Sequence, residues 1–173
     1  MKINHPLSFL TLIILSVLYG CKLAPTKSNK TSPNFIIILA DDQGWNGTSV
    51  QMMDDEIQSK SDYHQTPNIE ALANRGMRFS SAYASAPVCS PSRYSIQFGQ
   101  TPARLKMIRV GMNTKHIDHQ TALTIPKLLK SIDPNYTAAH FGKWGIDVEP
   151  SVLGYDYSDG ITGNKDGGFN YKS

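Results

Sequence analysis

A continuous apolar run that ends in two acidic residues constrains the fold of this 173-residue chain more than any other feature. Residues 34–40 read Asn-Phe-Ile-Ile-Ile-Leu-Ala, and Asp41-Asp42-Gln43-Gly44 follow directly. A short β-branched run without polar alternation is typical of a strand that is buried on both faces of a parallel sheet. The sequence therefore predicts an α/β fold in which residues 34–40 form an inner strand.

Helical and extended patterns alternate after this run. Helices are predicted over 66–75, 92–98 and 123–132, and strands over 77–83 and 136–141. Gly76 and Gly99 stand where the first two helices should stop. An alternation of this kind favours an open, mostly parallel sheet flanked by helices.

The composition excludes several classes of protein. The chain is 40% hydrophobic and 18% charged, as in ordinary globular domains, and its length suits about one domain. The net charge is only +3, and no basic run forms the footprint that nucleic acid requires. We therefore expect no nucleic-acid partner.

The N-terminus has the pattern of an export signal. Lys2 precedes an apolar stretch over 7–19 of about 13 residues, which is shorter than a membrane span. Gly20-Cys21 then resembles the lipobox of a bacterial lipoprotein, although an ordinary signal with a chance cysteine remains the alternative. We predict a signal peptide at 1–20, a lipidated Cys21 and a flexible tether at 21–32. The protein is then expected to be exported and lipid-anchored, in the bacterial periplasm or outer membrane.

Asp41 and Asp42 are the first candidates for chemistry, because ligands of open α/β sheets bind at the carboxyl ends of strands. Two adjacent carboxylates repel each other, and a hard cation such as Ca²⁺ or Mg²⁺ removes that repulsion. A solvated turn or a helix N-cap is the alternative.

Cys89-Ser90-Pro91-Ser92-Arg93 is the second candidate. Pro91 and Ser92 suit the opening of a helix with Ser90 as its N-cap, so Cys89 would lie at a helix N-terminus. Arg93 returns to the same side one turn later, and such a pair suits an oxyanion. The alternative is a buried structural cysteine. A cysteine-dependent phosphatase loop is excluded, because its arginine would fall six residues after the cysteine, at 95, which is a serine.

Lys143 and the histidines are weaker candidates. Lys143 lies between glycines after a predicted strand and could deliver a charge to an anion, or could simply occupy a surface turn. His116 and His119 are three residues apart but lack helical periodicity, so a metal pair is the less favoured interpretation. His140 ends a predicted strand and is expected to be packed.

Together these segments resemble the N-terminal part of the type I sulfatase family, which is formylglycine-dependent and alkaline-phosphatase-like. Four segments carry the resemblance: 33–44, 66–69 with Arg78-Phe79, 89–93 and 142–144. The third is the most specific, because it has the Cys-x-Pro-x-Arg form that the family's maturation enzyme converts at cysteine to formylglycine.

The resemblance implies a role for each matching residue. Cys89 becomes formylglycine, whose hydrated form is the nucleophile, and Arg93 holds it. Asp41 and Asp42, together with the modified Cys89, bind Ca²⁺ or Mg²⁺, and Lys143 contacts the sulfate. The implied activity is hydrolysis of sulfate esters, with sulfated glycans as candidate substrates. The implied partners are a formylglycine-generating or anaerobic sulfatase-maturating enzyme and, through the lipid, a membrane.

Two departures from the family keep alternatives open. Gly145 stands where the family usually has a histidine that contacts the formylglycine, and His140 is the candidate substitute. The chain also stops before the family's later metal ligands, so residues 33–173 are expected to be a partial catalytic domain, from a fragment or a degenerate copy. A phosphonate or phosphate ester hydrolase of the same superfamily and a non-catalytic lipoprotein are the alternative functions.

Overall fold

A computed structural model describes residues 32–163, which belong to two units that divide between Ile37 and Ile38. In the first unit, residues 32–37 form neither helix nor strand. In the second unit, three helices and a two-stranded sheet account for most of the regular structure. They are α1 (Pro67–Arg75), α2 (Cys89–Phe98), α3 (Ile125–Ile132), β1 (Ala139–His140) and β2 (Tyr157–Ser158), with short 3₁₀ turns at Ile57–Ser59 and Pro150–Leu153. The predicted signal peptide, Cys21 and the tether up to residue 31 lie outside the described residues.

The three predicted helices are present, with shifted starts. Helix α1 has a proline in its first turn and Gly76 as its C-cap, and α3 begins after its N-cap Thr124. Helix α2 begins at Cys89, three residues before the predicted start, and its N-cap is Val88 rather than Ser90. Proline is tolerated in the first helical turn, where no intrahelical donor is needed, so Pro91 does not delay the start. The helices between residues 32 and 163 are all too short or too polar to cross a bilayer.

The predicted strands at 34–40 and 77–83 are wrong. Neither segment is assigned as a strand, and apolar side chains that should be buried are exposed, with Ile36 at 86% and Ile38 at 85%. A strand needs a neighbour to satisfy its backbone hydrogen bonds, and the only sheet of the described region lies elsewhere in the chain. The apolar composition of these segments was therefore not sufficient to make strands.

The parallel sheet is present in a small form. Strand β1 covers two residues of the predicted strand 136–141 and pairs in parallel with β2, with Ala139 opposite Tyr157. The carboxylate of Asp156 accepts hydrogen bonds from the Ala138 backbone at 2.8 Å and from Lys130 at 2.7 Å. These contacts tie helix α3 to the start of both strands.

The hydrophobic core is formed by α2, the loop that follows it, and the segment after β1. Its buried members are Tyr94, Phe98, Leu105, Met107, Ile117, Trp144, Ile146 and Leu153. Trp144 is only 1% exposed, its indole N–H donates to the Val148 carbonyl at 2.7 Å, and its ring packs edge-on against Tyr155. This burial fixes the backbone on either side of Trp144.

Trp144 should therefore be a large contributor to stability. We expect Trp144→Ala to lower the free energy of unfolding by about 3–5 kcal/mol, because it removes a large buried ring and leaves a cavity. Trp45, which is 56% exposed, provides the matched control, and Trp45→Ala should change stability by no more than about 0.5 kcal/mol. Urea unfolding followed by circular dichroism measures both, and equal losses would contradict this core assignment.

Candidate active site

Asp41 is the centre of the candidate site, because each of its two carboxylate oxygens contacts a positively charged side chain. Oδ1 lies 3.1 Å from the guanidinium of Arg93, and Oδ2 lies 2.7 Å from Nζ of Lys143. The hydrogen bond from Lys143 lowers the pKa of Asp41, and the Arg93 guanidinium lowers it further, although partial burial opposes both. Asp41 is therefore held as a carboxylate between two positive charges.

Helix α2 positions Arg93 for this contact. The residue lies in the first turns of the helix, and its side chain is 9% exposed. One terminal nitrogen of its guanidinium donates to Asp41, and the other donates to the backbone carbonyl of Lys143. Arg93 thus links helix α2 to the segment that follows β1.

The turn at 142–145 positions Lys143. Thr162 holds this turn, since its hydroxyl donates to the Gly142 carbonyl at 2.6 Å and accepts from the Trp144 amide at 2.9 Å. The amide of Gly145 also donates to the Thr162 carbonyl at 3.0 Å. Trp144 is buried, and Nζ of the neighbouring Lys143 donates to Oδ2 of Asp41 at 2.7 Å.

Cys89 is the first residue of α2 and lies one turn before Arg93. Helical geometry places their Cα atoms about 6 Å apart along the axis. The thiol is free and half-buried, and no side chain caps this end of the helix. The first backbone N–H groups of a helix have no intrahelical acceptor, so they favour negative charge near Cys89.

Asp42 does not join the group around Asp41. Its backbone adopts a left-handed conformation, with φ of 56°, which Asp tolerates better than most residues. The side chain is exposed and makes no hydrogen bond or ion pair within the described part of the chain. Both aspartates lie in a turn, and the metal-binding role of Asp42 stays a prediction.

The described residues do not form a cation site by themselves. Both oxygens of Asp41 already face positive groups, and Ca²⁺ takes about 6–8 oxygen ligands. Between residues 32 and 163 no three His, Cys, Asp or Glu side chains are grouped to hold a metal. One carboxylate faces two cations and leaves one surplus positive charge, so the arrangement favours an anion.

The histidines have packing and hydrogen-bonding roles. His119 Nε2 lies 3.2 Å from the Tyr94 hydroxyl, and burial lowers the pKa of His119. His116 Nε2 donates to the Leu105 carbonyl at 2.7 Å. The ring centroids of His140 and Trp144 lie 4.7 Å apart, as expected for a packed residue. Burial lowers the pKa of His140, and the positive charge of Arg93 lowers it further.

Comparison with known proteins finds a matching family model and several relatives. A family model described as Sulfatase matches residues 33–170. Arylsulfatase G of Mus musculus is 29% identical over 157 residues, which cover 82% of this chain and 26% of that protein. The N-acetylgalactosamine-6-sulfatase of Mus musculus is 31% identical over 132 residues, 68% of this chain and 22% of that protein. The N-acetylgalactosamine-6-O-sulfatase of Bacteroides thetaiotaomicron is 29% identical over 163 residues, 91% of this chain and 30% of that protein. The chain thus spans less than a third of the length of each of these relatives.

The two aspartates offer a matched test of the site. We expect Asp41→Asn to lower the free energy of unfolding by about 1 kcal/mol, because it weakens two ion pairs that solvent partly screens. Asp42→Asn, which breaks no ion pair in the described region, should leave stability unchanged. Thermal unfolding at low and high salt measures both, and the Asp41 effect should shrink as salt rises. An Asp42 effect as large as that of Asp41 would contradict the geometry.

Proposed function

Because the chain belongs to the sulfatase family, we propose that it supplies Cys89, Arg93 and Lys143 to the active site of a sulfuric ester hydrolase. One observation carries this proposal: Arg93 and Lys143 both contact Asp41, and Arg93 lies one helical turn after Cys89. Three segments that are far apart in sequence meet there. Such a meeting of charges near a half-buried nucleophile precursor is typical of a reaction site rather than of a surface ion pair.

The charge of the group supports a sulfate ester as substrate. A sulfate monoester carries one negative charge, which matches the single surplus positive charge of Asp41, Arg93 and Lys143. A phosphate monoester carries nearly two negative charges at neutral pH, so the charge match is better for the sulfate ester. Because the Asp41 side chain is 42% exposed, water screens this difference, and the choice of sulfate over phosphate rests mainly on the family and on the paired assay below.

Lys143 is proposed to bind the sulfate oxygens. Its side chain is 18% exposed, and its Nζ is already positioned by Asp41 rather than free in solvent. A cation that is held before substrate arrives needs little reorganisation during the reaction. Asp41 thereby orients Lys143 while keeping the two positive groups close together.

Cys89 is proposed to be converted to formylglycine, which supplies an aldehyde hydrate as the nucleophile in place of a thiol. The start of helix α2 fits such a group. The uncapped N–H groups there can donate to an oxygen on residue 89, and Arg93 lies one turn away. A maturation enzyme, either formylglycine-generating or anaerobic sulfatase-maturating, is then a required partner.

A Ca²⁺ or Mg²⁺ ion at Asp41 and Asp42 remains a prediction from the family resemblance, and no step is derived from it. Such an ion would need oxygen ligands from outside residues 32–163. It would also have to compete with Lys143 or Arg93 for Asp41, since both carboxylate oxygens are already engaged.

Sulfated carbohydrate is the proposed substrate class. Two of the relatives named above act, by their names, on 6-sulfated N-acetylgalactosamine. We also propose an open, mostly parallel sheet for the complete domain that begins at residue 33. Export through residues 1–20, the tether over 21–32 and lipid attachment at Cys21 would place the protein at the bacterial periplasm or outer membrane, with extracellular glycans within reach.

The state of Cys89 is the first test of this proposal. After co-expression with a maturation enzyme, the peptide that contains Cys89 should be lighter by about 18 Da, because the thiol is replaced by an aldehyde oxygen. Cys89→Ser in the intact protein should abolish sulfate ester hydrolysis unless the partner enzyme also converts serine, which the same mass measurement detects. An unmodified Cys89 in a protein without hydrolytic activity would favour a non-catalytic lipoprotein.

Lys143 provides the second test. We expect Lys143→Met in the intact, matured protein to lower kcat/KM for an aryl sulfate by about a hundredfold, because it removes charge at the developing anion. Lys115 is exposed, and Lys115→Met is the control that should leave kcat/KM unchanged. Paired aryl sulfate and aryl phosphate esters should be assayed with the parent protein. A clear preference for phosphate would replace the sulfatase proposal with the phosphate ester alternative.

A further inference from the structure

The backbone of Gly145 lies directly against the side chain of Arg93. A Cβ atom at position 145 would be 2.9 Å from Cδ and 3.5 Å from Nε of Arg93. Carbon atoms in packed proteins sit at about 3.5–4.0 Å, so the shorter contact would force one group to move. Gly145 also has a φ of +65°, a left-handed conformation that glycine adopts without steric cost.

Arg93 has little freedom to move away from such a contact. Its guanidinium is bonded in two directions, to the Asp41 carboxylate at 3.1 Å and to the backbone carbonyl of Lys143. The whole side chain is 9% exposed and so is enclosed on most sides. A displacement of Cδ would therefore pull the guanidinium away from at least one of its two partners.

The geometry points to Gly145 as a positioning residue: the missing side chain lets Arg93 lie across the 142–145 turn and hold its guanidinium beside Asp41 and Lys143. This inference deepens the proposed function and rests on it for its catalytic meaning. Its structural content concerns only the contact between Gly145 and Arg93. In this chain the space beside Gly145 is filled by Arg93, which leaves no room for the histidine that the resemblance would place there.

A direct consequence is that restoring the histidine should damage the site. Gly145→His adds an imidazole where a single carbon already collides, so it should displace Arg93 rather than supply a proton-transfer group. We expect Gly145→His to bind inorganic sulfate more weakly than Gly145→Ala does. It should also hydrolyse aryl sulfate more slowly than the parent.

Gly142 is a matched control in the same turn. It also has a left-handed φ, +86°, but a Cβ there meets nothing within 4 Å. Alanine at either position therefore imposes backbone strain, whereas only alanine at 145 meets Arg93. The difference between Gly145→Ala and Gly142→Ala isolates the contact with the arginine.

The test uses the intact protein with the variants Gly145→Ala, Gly142→Ala, Arg93→Ala and the Arg93→Ala/Gly145→Ala double variant. Inorganic sulfate is titrated by calorimetry, and the Nε–H resonance of Arg93 is followed by ¹⁵N NMR. We expect Gly145→Ala to weaken sulfate binding about tenfold relative to Gly142→Ala, the size of one lost hydrogen bond to a charged group. The Arg93 resonance should shift in Gly145→Ala and stay in place in Gly142→Ala. When Arg93 is already alanine, adding Gly145→Ala should weaken sulfate binding no more than backbone strain alone does.

Melting temperatures keep the test decisive if Gly145→Ala folds poorly. If the collision with Arg93 is the cause, Arg93→Ala should restore folding to the double variant. Failure of that rescue would overturn the inference, as would equal sulfate affinity and an unshifted Arg93 resonance in both alanine variants. These readouts do not need turnover, so an absence of hydrolysis would reject the proposed function while the positioning role of Gly145 is judged separately.

Discussion

The paired contact of Asp41 with Arg93 and Lys143 is the interaction on which the candidate site depends. Asp41 is separated in sequence from Arg93 by 52 positions and from Lys143 by 102 positions, so the contact exists only in the folded state. Without the carboxylate, two positive groups would face each other in a partly enclosed space and repel. Asp41 therefore allows the two cations to approach, and the cations in turn keep Asp41 ionised.

The hydrophobic core supplies the rigidity that this contact needs. Tyr94, next to Arg93 on helix α2, and Trp144, next to Lys143, are both fully buried in the same cluster. Each cationic residue thus has a neighbour in the core that fixes its backbone. Thr162 then holds the 142–145 turn through hydrogen bonds on both sides of Lys143. Charged groups on such a frame lose less conformational freedom when they pair than do free surface side chains.

The sequence predicted local structure better than long-range pairing. The helices capped by Gly76 and Gly99 follow from capping and turn signals that act within a few residues. The strand at 34–40 failed because pairing depends on a neighbour that local composition does not specify. Strand β2 was missed because it has only two residues in a polar segment, which carry little periodicity, although a neighbouring strand is present to pair with it.

The site shows the same division between local and long-range information. The motif residues Asp41, Arg93 and Lys143 were singled out from residue type and position and are found together, whereas Asp42 makes no ion pair with either cation within residues 32–163. Thr162 had no signal in the sequence, and the resemblance marked Gly145 as a departure without indicating its close approach to Arg93. Both depend on which backbone segments meet in space, and a threonine or a glycine in a loop has many other uses.

In the proposed function, the surplus positive charge makes this group a receptor for a tetrahedral anion. A crystal structure of the intact, matured protein grown with sulfate tests this most directly. We expect a sulfate within about 3 Å of Nζ of Lys143, beside residue 89 and on the open side of the contacts with Asp41. A structure in which sulfate avoids Lys143, or in which Asp41 lies apart from Arg93 and Lys143, would contradict it.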